Sequence, residues 1–154
     1  VLAGDTLIVL AFEALALAGA RHPARLPGLV LTLAAGTGMP LGLCAGQAWE
    51  SEPEIHLADY QRAKTGALFA AATAMGAAAA DHDPQDWRAF GERLGEAYQV
   101  ADDVRDVAAD PAALGKPTGR DAALGRPNSV DRHGMESPVR RLDTLVAPAL
   151  EAVP

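Results

Sequence analysis

Three carboxylates stand within five residues of an otherwise apolar segment, GEAYQVADDVRDVAAD at positions 95–110. On a helix of 3.6 residues per turn, Gln99, Asp102 and Asp106 lie on one face, with Asp103 beside them. Carboxylates one turn apart repel each other by roughly a few tenths of a kcal/mol in water, and by more when desolvated. A divalent cation converts this repulsion into attraction, and Mg²⁺ prefers oxygen ligands. The spacing therefore predicts a metal site at Asp102, Asp103 and Asp106.

The alternative is a solvated acidic helix surface with no ligand. Such a surface predicts Lys or Glu between the acids, whereas Val100, Ala101 and Val104 are apolar. Gly91 and Gly95 fall on the same face as the carboxylates, so we expect them to leave room for something bulky alongside.

Isolated cations accompany the acidic segment. The stretch RAKTGALF places Lys64 and Thr65 on an apolar helix, and LGKPTGRD places Lys116 in a glycine-rich loop after the acidic helix. A lysine on a buried helical face is costly unless it is paired, so we expect Lys64 to point at an anion such as a diphosphate. The alternative is that Lys64 extends to solvent along its aliphatic stem.

The composition of the 154 residues favours one all-α domain. The chain is 49% hydrophobic and 5% aromatic, with much Ala and Leu and few β-branched residues, which favours helices. Its net charge is −7 and it has no run of Lys or Arg, so we expect no nucleic-acid partner. The single Cys44 excludes an internal disulfide and fits a reducing compartment, the cytoplasm.

The apolar stretches read as helices of a soluble protein. A helix is predicted over 4–18, ending at Gly19. Residues 26–49 carry no charge but are interrupted by Pro27 and Pro40, so we expect a buried helix there and no membrane span. A further helix is predicted from Trp87 to about Ala109, with Asp83 as its cap and Pro84 at its first position. After a loop rich in Gly and Pro, a last helix is predicted over 137–152, broken near Pro148.

Four segments, in the right order, resemble the trans-isoprenyl diphosphate synthases and cover nearly all of the chain. AGDTLIVLAFEALA resembles the helix after that family's first Asp-rich motif, GLCAGQAWE its GQ-x-x-D segment, and KTGALF its Lys-Thr pair. GEAYQVADDVRDV with LGKPTGRDAALGRP resembles the second Asp-rich region and its following loop, most like bacterial geranylgeranyl diphosphate synthases. The resemblance implies an all-α helical bundle of the isoprenoid synthase type, of which residues 1–154 form the C-terminal part of one domain.

The resemblance also implies a reaction and the residues that serve it. The reaction is the head-to-tail condensation of an allylic diphosphate with isopentenyl diphosphate, giving geranylgeranyl or farnesyl diphosphate for isoprenoid and carotenoid synthesis. Its cofactor is Mg²⁺, bound by Asp102, Asp103 and Asp106, with Asp102 as the foremost direct ligand. The resemblance implies that Lys64 and Lys116 bind the leaving diphosphate and that Gln99 and Thr65 face the carbocation. It also implies that Gln47 supports the same site and that Tyr98 lies near isopentenyl diphosphate.

Three departures from the family pattern stand out. Glu50 stands where the family usually has Asp, and Tyr98 where it usually has Phe. The first Asp-rich motif is absent, so we expect these 154 residues alone to be inactive. The family forms homodimers partly through the helix that matches 4–18, and a homodimer is expected here. The alternative function is a non-catalytic subunit that pairs with a catalytic synthase.

Overall fold

The structure is a computed structural model, which describes residues 2–108, 136–151 and 153. Its helices run in chain order as α1 Leu2–Gly19, α2 Leu26–Thr37, α3 Leu43–Trp49, α4 Leu57–Gln61, a π-helical turn Arg62–Gly66, α5 Ala67–Ala79, α6 Pro84–Ala108 and α7 Glu136–Glu151. No strand occurs among the described residues, and the prediction of an all-α fold is confirmed.

The centre of the fold is the pair α5 and α6, with α2 against α5 and α7 against α6. Alanine dominates its core, so the helix axes approach closely. A Cβ atom on Gly95 would lie 2.8 Å from the Cα of Gly66, and one on Gly91 would lie 2.7 Å from the Cα of Ala70. The room that Gly91 and Gly95 leave is therefore occupied by the backbone of the neighbouring segment and holds no ligand.

The uncharged stretch 26–49 forms two helices, so the expectation of one buried helix there is wrong. α2 ends at Thr37 and α3 begins at Leu43, with Gly38 and Pro40 between them. The two helices have 12 and 7 residues, whereas crossing a bilayer takes about 20. α2 is not buried all round either, since Leu31 is 70% exposed.

The first helix, α1, is the apolar element that the described fold leaves uncovered. It has 18 residues with a mean hydropathy of 1.7, and only 6% of them are buried. By length and composition it could cross a membrane, and it alone passes that test within the part of the chain that the structure describes. Its exposed large side chains are Leu2, Leu7, Val9, Leu10 and Leu17.

The helix that carries the carboxylates begins as predicted. Asp83 Oδ1 accepts a hydrogen bond of 2.9 Å from the backbone N–H of Gln85, and Pro84 is the first residue of α6. α6 is described as far as Ala108, and the predicted end near Ala109 lies outside the described residues. This long helix brings the acidic segment at its C-terminal part alongside the turn that precedes α5.

The last helix, α7, runs without a break through Pro148, so the predicted interruption there is wrong. Proline removes one backbone donor from a helix, but packing against α6 supports this segment. Arg93 of α6 donates a hydrogen bond of 3.1 Å from Nη1 to the carbonyl oxygen of Pro148.

Candidate functional site

The candidate site surrounds the π-helical turn Arg62–Gly66, which joins α4 to α5 and contacts both α3 and α6. A π turn inserts an extra residue into a helix and is often found at functional sites. Before and within this turn, Tyr60 and Lys64 are four residues apart, as are Gln61 and Thr65. The first pair reaches Glu50 after α3, and the second reaches α6.

The first half of the site is a carboxylate held by three side chains. Lys64 forms an ion pair with Oε1 of Glu50, and the Tyr60 hydroxyl donates to the same oxygen at 2.7 Å. Gln47 Nε2 donates to Oε2 of Glu50 at 2.6 Å. The Lys64 side chain is 25% exposed and that of Glu50 is 12% exposed. Lys64 is therefore paired with an anion of the protein itself, the carboxylate of Glu50, and its predicted contact with a diphosphate stays a prediction.

A glycine allows α3 to approach the π turn closely enough for this contact. A Cβ atom on Gly46 would lie 2.6 Å from the Cα of Lys64, which is shorter than any real Cβ contact. Gly46 immediately precedes Gln47 in α3, and Glu50 caps the end of that helix. The close approach therefore places both Gln47 and Glu50 beside Lys64.

The second half of the site is a chain of hydrogen bonds that ends on a buried aspartate. Thr65 Oγ1 donates to Oε1 of Gln99 at 2.5 Å, and Gln99 Nε2 donates to Oδ1 of Asp103 at 2.8 Å. Gln61 Nε2 donates to Oδ2 of Asp103 at 3.1 Å. Asp103 is 1% exposed, so both oxygens of a buried carboxylate accept amide hydrogens. The predicted residues Thr65, Gln99 and Asp103 are thus brought together.

The other two aspartates have different surroundings. Asp102 is partly exposed and forms no hydrogen bond or ion pair with the residues that the structure describes. Asp106 is 5% exposed and lies one turn further along α6. Within residues 2–108 and 136–151 no three or more His, Cys, Asp or Glu side chains are grouped closely enough to enclose a metal ion.

This donor set nevertheless fits Mg²⁺. Mg²⁺ usually takes one or two protein carboxylates and completes its shell with water and substrate phosphates. Asp102 is partly exposed and no described residue bonds its carboxylate, which is the property that an open site of this kind requires. A closed cage of three aspartates is a different kind of site, and the hydrogen bonds at Asp103 do not favour it.

The remaining predicted residues are Tyr98 and Lys116. Tyr98 is 53% exposed on α6, and its ring lies 5.2 Å from that of Phe69 on α5. Lys116 lies outside the described residues, so its predicted role stays a prediction.

Two residues of the site were missed at the level of sequence, Tyr60 and Gln61. The signal for them was their position four residues before Lys64 and Thr65, which places each pair on one helical face. Neither residue type stood out on its own, because tyrosine and glutamine are common on helices that pack against others. Their partners, Glu50 and Asp103, lie on other elements and became visible only in the fold.

Comparison with known proteins gives the same family at three levels. The sequence model of the polyprenyl synthetase family matches residues 1–151. The geranylgeranyl diphosphate synthase of Cereibacter sphaeroides is 52% identical over 154 residues, covering 100% of this chain and 54% of that protein. The farnesyl diphosphate synthase of Escherichia coli is 33% identical over 167 residues, covering 99% of this chain and 55% of that protein.

A solved structure matches the fold closely. It is that of a geranyltransferase from Helicobacter pylori complexed with magnesium and isoprenyl diphosphate, with a TM-score of 0.81 and 29% sequence identity. The match covers 99% of this chain and 52% of that one. The chain spans about half the length of the curated relatives it matches.

Proposed function

The chain belongs to the polyprenyl synthetase family, and we propose that it forms the C-terminal part of an isoprenyl diphosphate synthase. The proposed reaction condenses an allylic diphosphate with isopentenyl diphosphate to give geranylgeranyl or farnesyl diphosphate. The observation that carries this proposal is the pairing of Lys64 with Glu50 beside the Thr65–Gln99–Asp103 chain. This arrangement places a cation that could bind a diphosphate next to oriented side-chain dipoles and to the acidic face of α6.

In this proposal the acidic face and the cations hold the diphosphate. Asp102 is the carboxylate available for Mg²⁺, with Asp106 one turn away. Asp103, already bonded to Gln61 and Gln99, orients the helix face. Lys64 and Lys116 bind the phosphate oxygens. When bound, Mg²⁺ supplies Lewis-acid stabilisation of the negative charge that develops on the leaving diphosphate.

The carbon chemistry needs a pocket whose dipoles are fixed before the reaction. The allylic carbon–oxygen bond breaks, the isopentenyl double bond forms the new carbon–carbon bond, and a proton is lost to the departing diphosphate. Oε1 of Gln99 accepts from Thr65 while its amide donates to Asp103, so neither Gln99 nor Thr65 can rotate freely. Oxygen atoms held in this way stabilise a developing cation without reorganisation.

The exposed helix α1 is assigned to a homodimer, with a second copy of this chain as its partner. The expectation rests on the family resemblance and on the five large apolar side chains of α1 that are exposed. Leu10→Glu in the full-length protein should convert the dimer to a monomer in size-exclusion chromatography with light scattering. Leu150→Glu on α7 is the matched control, and a dimer that survives Leu10→Glu contradicts the assignment. Partition of the wild-type protein into phospholipid vesicles would favour a membrane role for α1 instead.

The activity itself is tested with the full-length protein. It is mixed with Mg²⁺, isopentenyl diphosphate and geranyl diphosphate, and the products are extracted and identified by mass spectrometry. Prenyl diphosphates longer by multiples of five carbons are expected. If no product forms alone but product forms once a catalytic synthase is added, the protein is instead a non-catalytic subunit.

A further inference from the structure

Tyr60 occupies a central position between the two charged groups of the first half of the site. Its side chain is 3% exposed, and its hydroxyl donates to Oε1 of Glu50 at 2.7 Å. The same hydroxyl accepts a hydrogen bond of 2.6 Å from Nζ of Lys64. Tyr60 therefore contacts both members of the ion pair.

The chemistry of lysine explains why such a contact is useful. A lysine side chain has four rotatable bonds, and fixing them has a large cost in conformational entropy. Tyrosine has two, and the buried ring of Tyr60 is held by its surroundings, so its hydroxyl is a fixed point. A single carboxylate attracts the ammonium but leaves its direction poorly defined. Two acceptors, Glu50 and Tyr60, fix the direction of the ammonium group.

The number of N–H donors on Lys64 shows how many remain for a ligand. An ammonium group has three N–H donors. Glu50 and Tyr60 accept two of those of Lys64, which leaves one for an anion. Glu50 in turn is held by Gln47 through its other oxygen, so the acceptor pair does not move with the ligand.

We propose that Tyr60 is a positioning residue that aims the third N–H of Lys64 at the diphosphate of the substrate. The inference rests on the proposed function, since it presupposes that Lys64 binds a diphosphate. Tyr60 itself acts through Lys64 and needs no contact with the substrate. The hydroxyl thus contributes to diphosphate affinity rather than only to the stability of the fold.

The test is Tyr60→Phe in the full-length protein, which removes the hydroxyl and keeps the ring. Glu50 retains its direct contact with Lys64, so the variant should fold. The dissociation constant of inorganic pyrophosphate in the presence of Mg²⁺ is measured by calorimetry, together with KM and kcat for geranyl diphosphate. Loss of one hydrogen bond to a charged group should raise the dissociation constant and KM about five-fold, with a smaller change in kcat.

Thr73→Val is the matched control, because it also removes a half-buried hydroxyl that ties two elements together. Thr73 Oγ1 donates to the carbonyl oxygen of Trp87 at 2.7 Å, two and a half turns beyond Lys64. This variant should lower the thermal midpoint without changing pyrophosphate affinity. A double-mutant cycle with Lys64→Met then isolates the coupling, since Tyr60→Phe should have no further effect on affinity once the ammonium is absent.

The outcomes separate the inference from the function on which it rests. A wild-type protein that neither binds pyrophosphate nor forms product overturns the proposed function and the role of Tyr60 with it. An active wild type whose affinity is unchanged by Tyr60→Phe overturns the role of Tyr60 alone. The same is true if Tyr60→Phe weakens binding equally in the Lys64→Met background, because the effect would then be structural.

Discussion

Gln99 donates a hydrogen bond of 2.8 Å from Nε2 to Oδ1 of Asp103, one turn further along α6. Gln61, the last residue of α4, donates to the other oxygen of the same carboxylate. Asp102, the adjacent residue, is partly exposed and has no such partners among the described residues. Two neighbouring aspartates of one motif therefore have different surroundings, one buried with both oxygens hydrogen-bonded and one partly exposed.

Asp103→Asn should destabilise the protein. The substituted amide places an NH₂ group next to an amide donor of Gln61 or Gln99, so one buried donor loses its acceptor. We expect a decrease of about 1–3 kcal/mol in the free energy of unfolding, measured by urea denaturation of the full-length protein. Asp143→Asn on the exposed side of α7 is the control and should leave stability unchanged. Equal stability of both variants would mean that the Asp103 carboxylate is not held as described.

Asp102→Ala should lower turnover and leave the helical fold unchanged. Turnover should fall on the order of a thousand-fold, because a ligand of the metal that stabilises the leaving diphosphate is lost. Helicity by circular dichroism should be unchanged, because Asp102 makes no hydrogen bond to the described residues. Asp143→Ala should retain full activity under the same conditions. Turnover like that of the wild type in Asp102→Ala would remove Asp102 from the mechanism.

Removal of Mg²⁺ should abolish activity without unfolding the protein. Sites completed by water and substrate phosphates contribute little to folding, in contrast to closed metal cages. After treatment with EDTA the thermal midpoint should shift by no more than a degree or two, while product formation stops and returns when Mg²⁺ is added. A large fall in the midpoint would indicate a structural metal instead.

Gly95→Ala should destabilise the contact between α5 and α6. The added methyl group would lie 2.8 Å from the Cα of Gly66 and 3.2 Å from the Cβ of Phe69, so the helices must move apart. We expect a loss of about 1–3 kcal/mol in the free energy of unfolding. Gly76→Ala in α5 is the control, since its Cβ would meet nothing within 4 Å and alanine favours a helix by about 0.5–1 kcal/mol. If both substitutions stabilise the protein, the helices are not in close contact at Gly95.

The local features of this chain follow from its sequence. The periodicity and composition predicted helices throughout, and the Asp83–Pro84 signal predicted where α6 begins. Such features depend on neighbours along the chain, which the sequence displays directly. Gly38 and Pro40 interrupt the apolar run in the sequence, and α2 ends immediately before Gly38. Pro148 is a signal of the same kind, but packing against α6 supports the helix there.

The arrangement of the site depends on contacts between elements that are distant in sequence. Helical spacing places Gly91, Gly95, Gln99 and Asp102 on one side of α6, but spacing does not say what that side meets. Close packing fills the space at Gly91 and Gly95 with the backbone of the preceding helix. The carboxylates of the DDxxD motif look alike in the sequence, and only the fold buries Asp103 and Asp106 while leaving Asp102 partly exposed. The sequence by itself determined the helices and the chemical groups they carry, whereas the tertiary structure decided which of those groups face each other, because burial and hydrogen bonding are properties of helix pairs.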